Sequence, residues 1–192
     1  MRTKKCKICK QVFQPTRPIQ PCCGYECEVI HANNLANSSK TNRERLRRKE
    51  TKEAKERIKT RSQWLKEAQI AFNAYIRKRD RHQLCICCDQ SLTLEAVGGG
   101  FDCGHYRSVG SAPHLRFDER NAHGQRKQCN RWGSGRAVDY RMGLIKRIGL
   151  AEVEKLESDQ AVKKYTIDEL KAIKSLYKLK IKELENECMA AN

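Results

Sequence analysis

Apolar and polar positions divide the middle of the chain into two unlike helical stretches. From Arg43 to Arg61 almost every position is polar and no apolar stripe forms. After residue 64, apolar side chains recur at helical spacing, which predicts a helix with one buried face. These positions are Leu65, Ala68, Phe72 and Tyr75/Ile76. Capping-box patterns beginning at Thr41 and at Thr60 allow either one long helix over 38–80 or two helices with a break near residue 60.

The C-terminal part, 150–188, is also predicted to be helical. A capping box at Thr166-x-x-Glu169 precedes a single apolar stripe. The stripe comprises Leu170, Ile173, Tyr177, Ile181, Leu184 and Cys188. Such a stripe favours packing against the chain's own domain, and a dimer seam is the less common alternative.

The sequence patterns within residues 83–149 predict shorter secondary-structure elements. A strand is predicted within 101–106, directly after the glycines at 98–100. A second strand or an ordered loop is expected over 115–125. Helical periodicity returns from Val138 to Ile148 and stops at Gly149, a residue type that commonly ends helices.

Charge points to nucleic acid as the partner. Lys and Arg number 40 against 23 Asp and Glu, so the formal net charge is +17. Residues 40–82 hold sixteen basic against six acidic residues, whereas 152–187 hold eight against nine. This uneven distribution indicates a defined electrostatic footprint. No run of about 18 apolar residues occurs, so we expect no membrane contact. The first residues lack the apolar region of a secretion signal, so we expect a cytoplasmic protein.

The eleven cysteines favour metal thiolates over disulfides, because no export signal is apparent. Tetrahedral zinc needs four soft ligands, and two close pairs on turns can supply them. The first group predicts a structural zinc knuckle over 1–35, with Cys22 as a substitute ligand and His31 in reserve. Its predicted ligands are Cys6, Cys9, Cys23 and Cys27.

A second structural zinc site is predicted from Cys85, Cys88 and Cys129. Arg126 stands where a Cys-x2-Cys pair with Cys129 would place its first cysteine, so this site is one ligand short. Cys103 or His123 are candidates to complete it, and Cys87 is a candidate to replace a neighbour. The sequence leaves two alternatives open, a rearranged site and a degenerate one.

A candidate nuclease motif accompanies the second cysteine group. Phosphodiester hydrolysis needs an activated water, stabilisation of the transition-state charge and help for the leaving oxygen. One His and one divalent cation can supply all three. In nucleases of the HNH type the His lies on the first strand of a ββα hairpin, followed by a loop-stiffening Asn and a metal ligand at the next helix. His105, Asn121 and Asn130 follow that order.

Each of these residues receives a predicted role. His105 is the general base, Asn121 orients the loop, and Asn130 is a ligand of catalytic Mg²⁺ or Mn²⁺. Asp102 is a second candidate ligand, and Asp118 and His123 are alternates. Gly104 occupies the position at which many HNH motifs carry a carboxylate.

Four arginines around this motif are predicted DNA-backbone contacts, because a guanidinium fork matches phosphate geometry. They are Arg107, Arg116, Arg120 and Arg131. Trp132 has two alternatives, stacking on an unpaired base near a junction and a position in the core, which is commoner for Trp.

The chain resembles the NinG (Rap) family of lambdoid phages over essentially its whole length. The resemblance is carried by residues 102–108 (DCGHYRS), 113–121 (PHLRFDERN), 129–131 (CNR) and 71–77 (AFNAYIR), and by the N-terminal Cys-x2-Cys. It implies a structure-specific, metal-dependent endonuclease that acts on branched recombination intermediates, including Holliday junctions and D-loops. Charge and spacing alone indicate only a DNA or RNA hydrolase.

We therefore expect an α+β protein, mainly helical, with an N-terminal zinc knuckle and a small ββα-metal (HNH-like) module. The expected segments are 1–35 (knuckle), 36–82 (basic helical segment), 83–149 (nuclease module) and 150–192 (C-terminal helices). Branched DNA is the expected partner, a homodimer would suit two symmetric cuts, and no small-molecule cofactor is expected. A zinc-dependent DNA-binding protein without nuclease activity is the alternative, and a sequence-reading restriction or homing nuclease is a third.

Overall fold

The computed structural model describes residues 2–92 and 100–190, and it divides the chain into two compact units, Met1–Lys59 and Thr60–Asn192. The first unit begins with a two-stranded antiparallel sheet of β1 (Lys4–Lys5) and β2 (Val12–Phe13). Helix α1 (Tyr25–Arg57) follows, and it buries none of its residues. It is therefore a solvated helix, as its lack of an apolar stripe predicts.

The charged residues at the two ends of helix α1 stabilise it through the helix dipole, which matters for a helix that buries no residues. Glu26 and Glu28 lie in its first turn and Lys55 and Arg57 in its last, which complements the helix dipole. The helix begins thirteen residues before the predicted start at 38, and it passes through Thr41 without interruption. The capping pattern at Thr41 is therefore not used as a helix start. Of the two alternatives for 38–80, the structure has the one with two helices and a break near residue 60, because α1 ends at Arg57 and the next helix begins at Arg61.

The second unit opens with α2 (Arg61–Arg79), whose first turn carries the predicted capping box. The Thr60 hydroxyl accepts from the Gln63 N–H and the Gln63 side chain accepts from the Thr60 N–H. Helix α5 (Ile167–Ala190) packs along α2. Their shared core contains Trp64, Phe72 and Tyr177, so the C-terminal stripe packs within its own unit as predicted.

A two-stranded antiparallel sheet, β3 (Phe101–His105) with β4 (Ala122–Arg126), lies beside α2. The register sets His105 opposite Ala122 and Asp102 opposite Gln125. A single π-helical turn, Gln128–Trp132, follows β4. Helices α3 (Ala137–Ile148) and α4 (Leu150–Ser158) come next, joined at Gly149 as predicted.

A second core joins α3 and α4 to the segment that carries the second cysteine group. Its members are Ile86, Ala112, Leu115, Tyr140, Leu144, Val153 and Leu156. The architecture is a mixed, mainly helical fold with two small sheets. The expected segment boundaries at 35/36, 82/83 and 149/150 stay predictions. None of the helices within the described residues is long and apolar enough to cross a membrane.

Candidate functional site

The first cysteine turn is built by two backbone hydrogen bonds. The Cys6 N–H donates to the Gln11 carbonyl at 2.8 Å, and the Lys10 N–H donates to the Cys6 carbonyl at 3.1 Å. Lys10 adopts φ 64°, a left-handed conformation that lets the chain reverse directly after Cys9. The turn therefore presents the sulfurs of Cys6 and Cys9 on one side.

The other pair of the first group reaches the same point from the start of helix α1, with Cys23 just before the helix and Cys27 in its first turn. The sulfur atoms of Cys6, Cys9, Cys23 and Cys27 all lie within 4.8 Å of one another. The Sγ–Sγ separation is 3.5 Å for Cys9–Cys23 and 3.8 Å for Cys23–Cys27. Four sulfurs about 2.3 Å from a tetrahedral zinc ion would lie about 3.8 Å apart. The four cysteines predicted for the knuckle therefore fit a zinc ion.

Thiol electrostatics agree with that fit. Burial opposes ionisation of Cys6, but N–H groups of Ile8, Cys23 and Cys9 outweigh it and lower the pKa of the Cys6 thiol to about 5. A hydrogen bond shared with Cys9 raises the pKa of the Cys23 thiol to about 12. All four sulfurs could be thiolates only with a cation among them, because metal ligands must be deprotonated.

The second cysteine turn repeats the backbone geometry of the first. The Cys85 N–H donates to the Gln90 carbonyl at 2.8 Å, and the Asp89 N–H donates to the Cys85 carbonyl at 3.1 Å. Asp89 has φ 51°, and a bridge between Leu84 and Ser91 closes the turn. Residues 85–90 thus form a second knuckle of the kind that holds Cys6 and Cys9.

This second knuckle meets Cys129 from the turn after β4. The sulfurs of Cys85, Cys88 and Cys129 lie within 4.8 Å of one another, and Cys129 Sγ is 3.6 Å from Cys88 Sγ. Three predicted zinc ligands are thus assembled. Cys103 and His123 do not join them in the described part of the chain. Cys103 packs against the core of α2 and α5, and His123 packs against Tyr140.

His105 lies at the end of β3 and faces α2. Its Nε2 is 3.0 Å from the Arg116 carbonyl, and its ring centroid is 5.8 Å from that of Phe72. Because a carbonyl can only accept, Nε2 carries the proton in this contact and Nδ1 is left as an acceptor. Burial lowers the pKa of His105 below its ordinary value of 6.5, although the Arg116 carbonyl acts in the opposite direction. The imidazole is therefore neutral at neutral pH, the state that a general base requires.

Asn121 is fully buried and fastens the loop between β3 and β4. Its Nδ2 donates to the carbonyls of Arg107, at 3.0 Å, and Leu115, at 3.2 Å. Its Oδ1 accepts from the Arg107 N–H at 2.8 Å. Leu115 directly precedes Arg116, whose carbonyl holds the His105 ring. Asn121 thus acts on His105 through the backbone of this loop.

Asp102 and Asn130 lie together, as two candidate ligands of one cation should. Asn130 Nδ2 is 3.2 Å from Asp102 Oδ2. Arg131 forks onto the same carboxylate, with Nε 2.8 Å from Oδ2 and Nη2 3.1 Å from Oδ1. Burial opposes ionisation, but Arg131 and Asn130 lower the pKa of Asp102. The carboxylate is therefore ionised and already paired with a cationic side chain.

The structure does not bring His105 into hydrogen-bond contact with this pair. Asp102 and His105 are three residues apart on β3, so their side chains point to opposite faces of the hairpin. His105 faces Phe72 of α2, and Asp102 faces the turn that carries Asn130. The catalytic and catalytic-metal roles given to these residues stay predictions.

Gln125 explains why position 104 carries no side chain, a role that no sequence pattern indicates. A Cβ on Gly104 would lie 2.1 Å from Gln125 Oε1 and 3.0 Å from Gln125 Cβ. Gln125 is 1% exposed, and its Nε2 is 2.9 Å from both the Gly135 carbonyl and Cys87 Sγ. Its side chain therefore occupies the space that a carboxylate at 104 would need. Tyr140 adds a further contact, because its hydroxyl donates to the Gly104 carbonyl at 2.9 Å.

The four arginines predicted to contact DNA all have partners within the chain. Arg107 donates to the Leu156 carbonyl at 2.9 Å near the end of α4. Arg116 donates to Gln69 Oε1 at 3.1 Å. Arg120 pairs with Asp118 and Glu152. Arg131, with a side chain 60% exposed, is the most open of the four, and it pairs with Asp102. Their DNA-binding role stays a prediction.

Trp132 is 77% exposed, so the core alternative does not hold for it. It ends the π-helical turn that carries Cys129 and Asn130. Backbone contacts fix this turn, because the Gly133 N–H donates to the Gln128 carbonyl at 2.8 Å and the Gly135 N–H to the Cys129 carbonyl at 3.1 Å. An aromatic side chain therefore projects to solvent from the predicted metal-held turn.

These features define a basic, mainly helical protein with a four-cysteine knuckle that could hold a metal ion and a small hairpin beside a second cysteine group. A family model described as "Bacteriophage Lambda NinG protein" matches residues 1–187. The chain therefore belongs to the NinG family.

Three relatives show how far the similarity extends. Protein ninG of Enterobacteria phage H19B is 41% identical over 199 residues, which cover 95% of this chain and 94% of the relative. Protein ninG of Escherichia phage 933W is 39% identical with the same coverage. Protein ninG of Escherichia phage lambda is 46% identical over 129 residues, which cover 67% of this chain and 61% of the relative. No solved structure matches the chain.

Proposed function

We propose that this protein is a divalent-metal-dependent endonuclease that cleaves branched DNA, with Holliday junctions and D-loops as its substrates. What supports the proposal is that β3, β4 and the turn after them carry both a neutral His105 and the Asp102–Asn130 pair, on opposite faces of one hairpin. One hairpin holds a neutral His105 at a fixed backbone carbonyl, and the next turn places Asn130 against Asp102. The order of strand, strand and helical turn supports our proposal of a ββα-metal (HNH-like) module.

In this proposal His105 Nδ1 takes the proton of the attacking water. Asn121 is a positioning residue, because it fixes the loop whose Arg116 carbonyl orients the ring. General-base catalysis contributes about 10²- to 10⁴-fold to the rate, so loss of the imidazole should cost that much.

Asp102 and Asn130 offer the oxygen atoms that Mg²⁺ or Mn²⁺ prefers. A cation held there would supply Lewis-acid stabilisation of the phosphate and the leaving oxygen, which requires the substrate to reach both faces of the hairpin, since His105 lies on the other one. Arg131 now pairs with Asp102 and is largely exposed. An arriving phosphate gives the Arg131 fork a second anionic partner, which frees the Asp102 carboxylate for the cation.

Charge supports DNA as the substrate. The formal net charge is +17, and helix α1 carries basic residues on all sides without a core of its own. Basic side chains on such a helix would contact DNA phosphates and recognise DNA shape more than the edges of the bases. A homodimer would place two such sites on one symmetric junction. Chains that assemble on phage DNA act in the host cytoplasm, and we propose that location.

A second candidate is a zinc-dependent, branch-selective DNA-binding protein without nuclease activity. The observation that favours it is the absence of room for a carboxylate at Gly104, together with the pairing of Asp102 by Arg131. Both features weaken the cation site while leaving the fold and the charge unchanged.

Cleavage of labelled DNA tests the proposal and separates the two candidates. The full chain, loaded with zinc, is mixed with a four-way junction or with linear duplex of the same arm sequence. Mg²⁺ or Mn²⁺ is added or left out, because a chelator would also remove zinc from the cysteines. Cleavage of the junction that requires the added cation supports the nuclease. Tight junction binding without cleavage under all conditions would contradict it and favour the binding protein.

A further inference from the structure

The two cysteine knuckles share a backbone but differ in their ligands. Residues 6–11 and 85–90 form the same turn with the same hydrogen-bond lengths. The first knuckle meets two further cysteines, whereas the second meets Cys129 alone within the described residues. Zinc in proteins is almost always four-coordinate, and a closed set of four protein ligands marks a structural site. The second centre therefore has three thiolates and one position to fill.

Two residues beside Cys85, namely Cys87 and Arg126, do not complete the set of four ligands. The Cys87 thiol hydrogen-bonds the Cys85 thiol and accepts from Gln125 Nε2 at 2.9 Å, but it lies outside the group of three mutually close sulfurs. The Arg126 backbone is close, with its N–H 3.4 Å from Cys85 Sγ. A guanidinium has no lone pair to give a metal.

We propose that Cys85, Cys88 and Cys129 hold zinc through three thiolates, with an exchangeable external donor, water or a small thiol, in the fourth position. An open position admits an incoming ligand without prior loss of a protein ligand. The second centre is therefore the labile one of the two. Cys129 and Asn130 lie on the same turn, so the occupancy of the second centre should also affect the position of Asn130. Only the effect on cleavage rests on the proposed nuclease function.

Cobalt substitution tests the coordination without any reference to activity. The near-ultraviolet absorbance of Co²⁺ thiolates increases with each cobalt–sulfur bond, and the visible bands report the ligand set. Arg126→Cys is the decisive variant, because the backbone of residue 126 already lies beside Cys85. Arg126→Ser is its matched control, which removes the same charge but adds no thiol.

We expect a small thiol such as 2-mercaptoethanol to add one cobalt–sulfur bond to the wild type and to Arg126→Ser. Arg126→Cys should contain that bond beforehand and should not respond to the thiol. An Arg126→Cys spectrum identical to that of the wild type would overturn the proposal. So would a change in the wild-type spectrum on Cys87→Ser or Glu95→Gln, since either would identify a protein side chain as the fourth ligand. Glu95 lies outside the described residues.

Zinc release to a colorimetric chelator tests the lability directly. The wild type should release zinc in two phases, the faster one absent from Cys85→Ser and the slower one absent from Cys9→Ser. We expect the phases to differ by at least about tenfold, since even outer contacts of a zinc ligand change affinity by 10- to 100-fold. Arg126→Cys should slow the fast phase by about tenfold or more, and Arg126→Ser should not. A single phase in the wild type would refute the proposed lability.

Discussion

Truncation of the two asparagines of the predicted motif should have different effects on stability. Asn121→Ala should destabilise the protein strongly, and Asn130→Ala should destabilise it little. Asn121→Ala removes three hydrogen bonds from a fully buried site and leaves the Arg107 N–H and the carbonyls of Arg107 and Leu115 without these partners. A buried polar group left unpaired costs about 1 to 3 kcal/mol. Some of these groups will regain water, so we expect a total loss of about 3 to 5 kcal/mol.

Asn130→Ala is the matched control, because it removes one amide that is half-buried and has one contact, to Asp102. Its stability cost should be about 1 kcal/mol or less. Thermal unfolding of the zinc-loaded full chain, followed by circular dichroism, measures both. We expect Tm to fall by about 10 °C or more for Asn121→Ala and by about 3 °C or less for Asn130→Ala.

Cleavage should be sensitive to Asn130→Ala although stability is not. This variant should bind a junction as the wild type does but lose cation-dependent cleavage, because the substitution removes the side-chain amide oxygen that is a proposed metal ligand. A Tm for Asn121→Ala within 3 °C of the wild type would refute the role of this side chain in holding the loop. Equal destabilisation by both substitutions would refute the distinction between them.

Three further predictions follow from contacts in the second unit. Gly143→Ala should destabilise the protein by about 1 to 3 kcal/mol, because its Cβ would lie 1.8 Å from the Ile86 carbonyl oxygen. This cost should outweigh the better helix propensity of Ala, which is worth about 1 kcal/mol. A higher thermal Tm or a higher urea midpoint than the wild type would contradict this packing. Cleavage should increase with pH through an apparent pKa below 6.5 and be flat above pH 7, because burial lowers the pKa of His105; an apparent pKa above 7 in a single-turnover profile would argue against this base. Trp132→Ala should weaken junction binding by about 1 to 3 kcal/mol relative to Trp132→Phe, and junction DNA should quench the exposed Trp132 but not Trp64, which is 5% exposed; equal binding by the two variants would exclude stacking.

Local sequence patterns predicted the parts of this fold that local chemistry determines. The cysteine spacing identified both metal groups, and Thr60-x-x-Gln63 located the start of α2. The start of α1 was predicted too late, because a helix without a buried face has no periodic signal to read. Its real start directly after the knuckle places Cys27 in the first turn, where it meets Cys23.

Side-chain contacts between residues far apart in the sequence could not be predicted from local patterns. Asp102 and Arg131 are 29 residues apart, and only the hairpin and the turn after it bring them together. The contact of Arg107 with the carbonyls at the end of α4 could not be predicted, because nothing near Arg107 in the sequence indicates it. Gln125 reads as an ordinary polar residue in a strand, and its contact with Gly135 depends on the close approach across Gly104.

The identity of His105 as the base of a junction-cleaving nuclease is most directly tested by one single-turnover measurement. Zinc-loaded wild type, His105→Ala and His82→Ala are each bound to a labelled four-way junction, and cleavage is started with Mg²⁺ or Mn²⁺. His82 is exposed and lies outside the site, so its variant controls for the loss of a histidine. We predict equal binding by all three, unchanged cleavage by His82→Ala, and a loss of about 10²- to 10⁴-fold for His105→Ala. Cleavage by His105→Ala at the wild-type rate would contradict the account.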